Sequence, residues 1–148
     1  MIHELADVKS SKIGKGTNIW QFCVVLEDAV IGSNCNICSQ CFIENDVTIG
    51  DNVTIKSGTQ IWDGMIVGDN VFIGANVSFI NDKYPKSRNK DWNLESVIIE
   101  NDVSIGSGAT IMAGVRLGKG ATIGAGSVVI KDVGKNDVVV GNPARKVK

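Results

Sequence analysis

This sequence is short of the residues from which many catalytic centres are made. It holds one histidine, His3, in 148 residues. A three-histidine metal site therefore cannot be built from a single chain, and no histidine general base stands in the body of the sequence. Aromatic residues make up only 5%, so the core must come from small and branched aliphatic side chains. The net charge of -1 gives no overall attraction to nucleic acid or to an anionic membrane. No apolar run approaches the ~18 residues of a membrane span. The opening stretch, "MIHELADVKSSK", is polar and lacks the apolar centre of a secretion signal, so a cytoplasmic location is the default expectation. The four cysteines show no zinc-like spacing, and no metal site is expected.

What the chain does have is a period. Aliphatic residues recur every six positions at Ile13, Ile19, Val25, Ile31, Ile37, Ile43, Ile49, Ile55, Ile61, Val67, Ile73 and then Phe79. The series resumes at Ile99 and runs through Ile105, Ile111, Leu117, Ile123 and Val129. With the aliphatic residue as position one, position five is small or slender throughout: Thr17, Cys23, Ala29, Cys35, Cys41 and their successors. Position four is Gly, Asn or Asp except at Phe22 and Gln40, which suits a tight corner with positive φ. Each unit reads as a short strand and a corner. Positions five and one point inward and position six points outward, because strand side chains alternate. Cys23, Cys35 and Cys41 fall at the inward position, where free cysteine packs as a small hydrophobe.

Glycines 18 residues apart (Gly14, Gly32, Gly50, Gly68; then Gly106, Gly124) put three units in each coil. The predicted fold is all-β: a triangular prism of about six coils, about 29 Å tall at ~4.8 Å per coil. One domain is expected, with coils over about 13–84 and 99–134, an extended loop at 85–98 and a C-terminal tail at 135–148. A period of six draws no continuous stripe on an α-helix, which excludes a helical reading.

The loop is a candidate site because long loops in compact domains are commonly functional. Tyr84, Lys86, Arg88 and Trp92 could together hold a diphosphate and a base. If the loop leaves from a third corner, position three of that corner forms a ladder in successive coils: Glu27, Asn45, Asp63, Asn81, Ala113, Lys131. Acceptors at one end suit an amino or hydroxyl substrate. The small residues of "MAG" would let a thioester approach backbone N–H groups, and Lys131 could meet a phosphate. A plain solvated edge accounts for the same polar corners.

Units such as "IGDNVT", "IGSGAT" and "IGAGSV" resemble the hexapeptide repeat of left-handed parallel β-helix acyltransferases. The left hand is implied by that resemblance alone. Residues 36–87, with "IWDG" followed by "NDKYPKS", are similar to N-acetyltransferases acting on dTDP-3-amino-3,6-dideoxyhexoses, and the similarity continues through "GAGSVVIKDV" and "GNPAR". Where that family often has Phe-Thr-Asn-Asp at the loop entrance, this chain has Phe79-Ile80-Asn81-Asp82. The resemblance implies acetyl-CoA as donor, a cytoplasmic homotrimer with sites between subunits, and a role in surface-glycan sugar biosynthesis. It places the catalytic pair Asn81 and Asp82 beside the sugar amine, with Trp62 and Asp63 near the sugar. Ala113 and Gly114 would line the pantetheine path, and Lys131 and Arg145 would approach the phosphates of coenzyme A. Outward-facing Phe42, Ile66 and Phe72 are candidate trimer contacts.

The missing histidine agrees with an amine acceptor. A hydroxyl needs a base to become a nucleophile, whereas a free amine attacks a thioester unaided. Asp82 or Asp63 could still take the proton. Catalysis is expected chiefly from positioning and backbone donors. Alternative readings are an N-acetyltransferase of a UDP-linked amino sugar and a non-catalytic scaffold.

Overall fold

The computed structural model describes residues 1–148. Every regular element is a strand, most only two residues long, and none is a helix. No helix is therefore long and apolar enough to cross a membrane. The strands stack in parallel register every 18 residues, as in Ile19 beside Ile37 and Ile37 beside Ile55. Three faces result, which we call first, second and third after the strands ending at Ile31, Ile37 and Val25.

The alternation predicted from the hexad is seen directly. Position-one residues Ile19, Ile37, Ile55, Ile73, Ile105 and Ile123 are buried, as are position-five residues Cys23, Ala29, Cys35, Val53 and Ala121. Both sets belong to one continuous aliphatic core. The narrow prism leaves no room for large rings, which is why a chain so poor in aromatics fills it. Two inward polar residues are satisfied locally: Thr17 Oγ1 donates to the Gly32 carbonyl at 2.6 Å and Thr59 Oγ1 to the Gly74 carbonyl at 3.1 Å.

The corners depart from expectation in two ways. Phe22 and Gln40, the exceptions at position four, adopt φ of 63° and 64° all the same. The stacking dictates the turn and the residue is strained to follow it. The third-corner aspartates Asp28, Asp46, Asp82 and Asp132, by contrast, do not take positive φ. The prism also starts earlier than residue 13. Asp7–Val8 pairs with Val24–Val25, and the amide of His3, expected outside the coils, donates to the Ile19 carbonyl at 2.9 Å. At the other end Val138–Gly141 continues the second face and turns back as a hairpin with Ala144–Lys146.

One face is not continuous. The first and second faces are single sheets of five and eight strands, but the third is two sheets, one ending at Gln60–Ile61 and the next starting at Ser78–Phe79. Each other position-two amide from Gly14 to Met112 donates to the position-one carbonyl of the following coil; Trp62 alone does not. Its indole Nε1–H reaches the Phe79 carbonyl instead, at 2.9 Å. The ring packs edge-on to Phe42, with centroids 5.8 Å apart.

Candidate functional site

The interruption in the period leaves from the third face directly above this seam. After Ser78–Phe79 the chain runs outward and returns at Val97, which is fully buried at position five, so the repeat resumes slightly inside the predicted 85–98 loop. Phe79 then stacks on Ile111 and Ile111 on Val129, the alignment inferred for the ladder. At the corner itself the ladder is not contiguous. Along most of the first and second corners a position-four amide donates to the position-three carbonyl one coil earlier, as Gly108 does to Ala75 and Gly126 to Ser107; along the third corner none does. Between Asn81 and Gly114 an inserted residue makes the connection. The Glu95 amide donates to the Asn81 carbonyl at 3.0 Å, and the Glu95 carbonyl accepts from the Gly114 amide at 3.0 Å. The returning limb is thus wedged between two coils that would otherwise touch.

Gly64 makes the passage possible. It sits at φ +85°, and a β-carbon there would lie 2.9 Å from both Leu94 Cδ2 and Ser96 Cβ. Only a glycine lets the limb lie this close to the corner.

The expected site residues fall into three groups. Asn81, Asp82, Lys86, Arg88 and Trp92 line one hollow of about 260 Å³ at the base of the excursion. A neighbouring hollow of about 160 Å³ is bounded by Asp82, Tyr84, Asp91, Trp92 and Glu95. Lys131 and Arg145 meet in a hollow of about 280 Å³ at the C-terminal end, with Val139, Asp137 and Lys146. Lys146 is paired to Asp137 at 2.8 Å, which leaves Lys131 and Arg145 as the cations without an acidic partner.

Trp62 and Asp63 are not brought into any of these hollows. Trp62 is committed to the seam. Asp63 Oδ1 accepts from the Asp46 amide at 2.8 Å, while the Asp63 amide donates to Glu44 at 2.7 Å. Asn45 likewise accepts from the Asp28 amide at 3.2 Å. The first corner does the same with no loop nearby: Asp51 and Asp69 accept from the amides of Ser33 and Asp51, each at 2.7 Å. Much of the polar ladder therefore satisfies corner amides. The pattern stops at Asn81, whose side chain has no such bond, and at Ala113. The coil after Ala113 offers Lys131, which can only donate. The Ala113 amide has no protein acceptor, as is true of the Asn45 and Asn81 amides of the same corner, while that of Gly114 is taken by Glu95. Of the two residues expected beside the thioester, only Ala113 has a donor to spare.

Glu95 is a candidate residue that sequence reasoning missed. It lies outside the repeat, so no spacing flagged it. Its carboxylate carries no hydrogen bond or ion pair, unlike those of Asp63, Asp82 and Asp132, which accept from the amides of Asp46, Tyr84 and Arg116.

A prism of parallel coils with one loop wedged into a corner defines the class of this protein: a β-helix whose interrupted edge carries the polar, unpaired groups. The chain belongs to the bacterial transferase hexapeptide (six repeats) family, matching over residues 10–45, 46–81 and 96–131 and leaving out the excursion. It is 58% identical over 52 residues to a 2,3,4,5-tetrahydropyridine-2,6-dicarboxylate N-acetyltransferase of Alkaliphilus metalliredigens, a stretch covering 35% of this chain and 22% of the relative. The chain thus spans about a fifth of the length of such relatives. Its fold is similar to a hexapeptide-repeat acetyltransferase of Vibrio cholerae, with TM-score 0.68, 26% identity, and coverage of 95% of this chain and 74% of the other. A structure of that protein complexed with acetyl coenzyme A gives TM-score 0.53 and 28% identity over 75% of this chain and 62% of the other. A mutant of AntD, an N-acyltransferase from Bacillus cereus solved with dTDP-4-amino-4,6-dideoxyglucose and coenzyme A, shares the fold at TM-score 0.64 and 22% identity, covering 99% of this chain and 78% of AntD.

Proposed function

We propose that this protein transfers an acetyl group from acetyl-CoA to the amino group of a nucleotide-linked amino sugar, with the 3-amino group of a dTDP-3-amino-3,6-dideoxyhexose as the leading acceptor. The observation that carries this reading is the wedge. It sets the Asn81–Asp82 acceptor corner and the unpaired Ala113 amide on the two sides of a single inserted residue. A thioester carbonyl beside Ala113 would find a backbone donor for its developing oxyanion. The pantetheine arm would run up the third corner toward Lys131 and Arg145, free cations suited to phosphates. Lys86 and Arg88, with Trp92, offer the acceptor's diphosphate and base a charged and aromatic wall. The relatives with bound acetyl-CoA, or with coenzyme A and a dTDP-amino sugar, support both halves of the proposal. The chain would work as a cytoplasmic homotrimer, supplying sugars for surface glycans, with no metal.

The matched stretch of the tetrahydropyridine-dicarboxylate enzymes favours a second reading, in which the acceptor is a small amino-dicarboxylate. The test is direct. The protein is incubated with acetyl-CoA and a panel of dTDP- and UDP-linked 3- and 4-amino sugars, with the amino-dicarboxylate as rival, and released thiol is followed. Turnover with dTDP-amino sugars above all others is expected. Turnover with UDP sugars or with the dicarboxylate alone would replace the leading acceptor. No turnover and no acetyl-CoA binding would leave a scaffold. The double variant Asn81→Ala, Asp82→Asn should lower kcat/KM for the sugar by about 100-fold or more. An unchanged value would remove the acceptor corner from the mechanism.

A further inference from the structure

We infer that the carboxylate of Glu95 takes the proton from the acceptor ammonium; the inference rests on the amine-acetylation reading above. A sugar amine is mostly protonated near neutral pH, and only the free base has the electron pair to attack. A group in the crevice that accepts that proton raises the reactive fraction of the bound amine. The one histidine, His3, lies in the first coil at the N-terminal end of the prism, several coils below the excursion. Three of the nearby carboxylates are already occupied, and Asp91, unpaired in the same hollow, lacks the backbone bonds to both corners that fix Glu95. Asp63 holds the Asp46 amide, Asp82 closes a turn onto the Tyr84 amide at 3.1 Å, and Asp132 holds the Arg116 amide at 2.8 Å. Glu95 is exposed and unpartnered, and its backbone is pinned on both sides.

Its position is as informative as its freedom. The Glu95 peptide joins the Asn81 carbonyl to the Gly114 amide, so the residue stands between the acceptor corner and the thioester corner. Its Cβ is the nearest atom to where a side chain on Gly114 would begin, at 3.8 Å. The carboxylate shares its hollow with Asp82, Tyr84 and Trp92. Asp82 and Trp92 also line the adjoining hollow that holds Asn81, so the two hollows share a wall. Glu95 removes one proton from the ammonium. The freed nitrogen lone pair attacks the thioester carbon and forms the C–N bond. The tetrahedral intermediate collapses with loss of the C–S bond. Coenzyme A leaves as a thiolate and takes the second nitrogen proton to become the thiol. Glu95 releases its proton to solvent, to which it is open. The products are the amide, the free thiol and one proton, and no further reagent is needed.

The experiment compares wild type, Glu95→Gln and Glu95→Asp on the best acceptor of the panel, across pH. Glu95→Gln should lower kcat by about 100-fold near neutrality, with the KM for acetyl-CoA changed by less than about threefold. The deficit should shrink as pH rises through the amine's own pKa, because solvent then does the work of Glu95. It should also vanish with an O-alkyl hydroxylamine analogue, which is unprotonated at neutral pH. Glu95→Asp should recover part of the rate. A Gln variant within about threefold of wild type at pH 7, or a deficit indifferent to pH and to amine basicity, overturns the assignment. Wild-type silence on every amine acceptor overturns the acetylation reading and this inference with it, and needs no variant to be seen.

Discussion

At the scale of single residues the stacking overrules local preference. Gln40 is held at φ 64° although nothing in its side chain favours the left-handed region. A residue with a β-carbon is costlier there than glycine by roughly 1–2 kcal/mol, and asparagine recovers part of that. Gln40→Asn should therefore stabilise the protein by about 0.5–1 kcal/mol, read as a higher urea midpoint at unchanged slope. The strain could not be read from Gln40 itself, because it is imposed by neighbours 18 residues away. The cysteines, in contrast, were legible. Cys23, Cys35 and Cys41 are buried where position five places them, and Cys38 sits at a corner and is half-buried. Burial raises the Cys35 thiol, and the neighbouring Cys23 thiol together with burial pushes Cys41 up. The Cys41 side chain lowers Cys23 to about 7, but Cys23 is fully buried, so with an aromatic disulfide reagent only Cys38 should react promptly in the native protein. Rapid reaction of all four thiols before unfolding would contradict this.

At the scale of the element, the corner between the first and second faces carries the clearest pH signature. Glu100 accepts from the Lys119 amide at 2.6 Å and from Arg116 Nε at 2.7 Å. The Lys119 amide first, and Arg116 second, hold its carboxyl below the ordinary range. A depressed folded-state pKa means that the contribution is complete above the unfolded-state value, about 4.3, and is lost as pH falls through the lower folded value. Glu100→Gln should flatten the acid limb of the stability curve below about pH 4, while leaving the alkaline side unchanged. The second element-scale expectation concerns the passage over Gly64. Gly64→Ala combines a strained φ with a clash against Leu94 and Ser96. It should cost about 1–3 kcal/mol and release the returning limb, seen as new proteolysis within residues 83–96. Neither element could be foreseen from the period. The repeat records which side chains face inward, but the limb over Gly64 and the bonds of Glu100 depend on contacts across coils and outside the hexad.

For the whole molecule, the six-residue interval was enough to deduce three faces, the core and the stacking of Phe79 on Ile111 across the interruption. It was enough because each coil repeats one environment, so every unit restates the same message. The site is where that redundancy ends. Asn81, Asp82, Lys86 and Arg88 line one hollow because they lie together in the chain. Trp62 and Asp63 line none of the hollows there, and their polar atoms bond within the prism. Phe42, Ile66 and Phe72 lie on the third, first and second faces respectively, so a ring of three subunits, which presents two different surfaces per copy, cannot use all three in one flat contact. Because the coils stack across the gap without help from the excursion, replacing residues 83–94 by a short Gly-Ser link should preserve the β circular dichroism spectrum while abolishing sugar turnover. Loss of the folded spectrum would show that the limb is part of the scaffold.

The split third face has one more consequence, and it concerns how the molecule comes apart. Rod-like stacks of coils ordinarily fray from their tips, since a middle layer is clasped from above and below. Here the Trp62 amide, halfway along the rod, bonds to no protein group, and the Gln60 amide has no bond to the Val77 carbonyl above it. Deuterium should enter at these two amides sooner than at Glu44 or Ile80 on either side, so the weakest point of the stack lies at its waist, beneath the crevice.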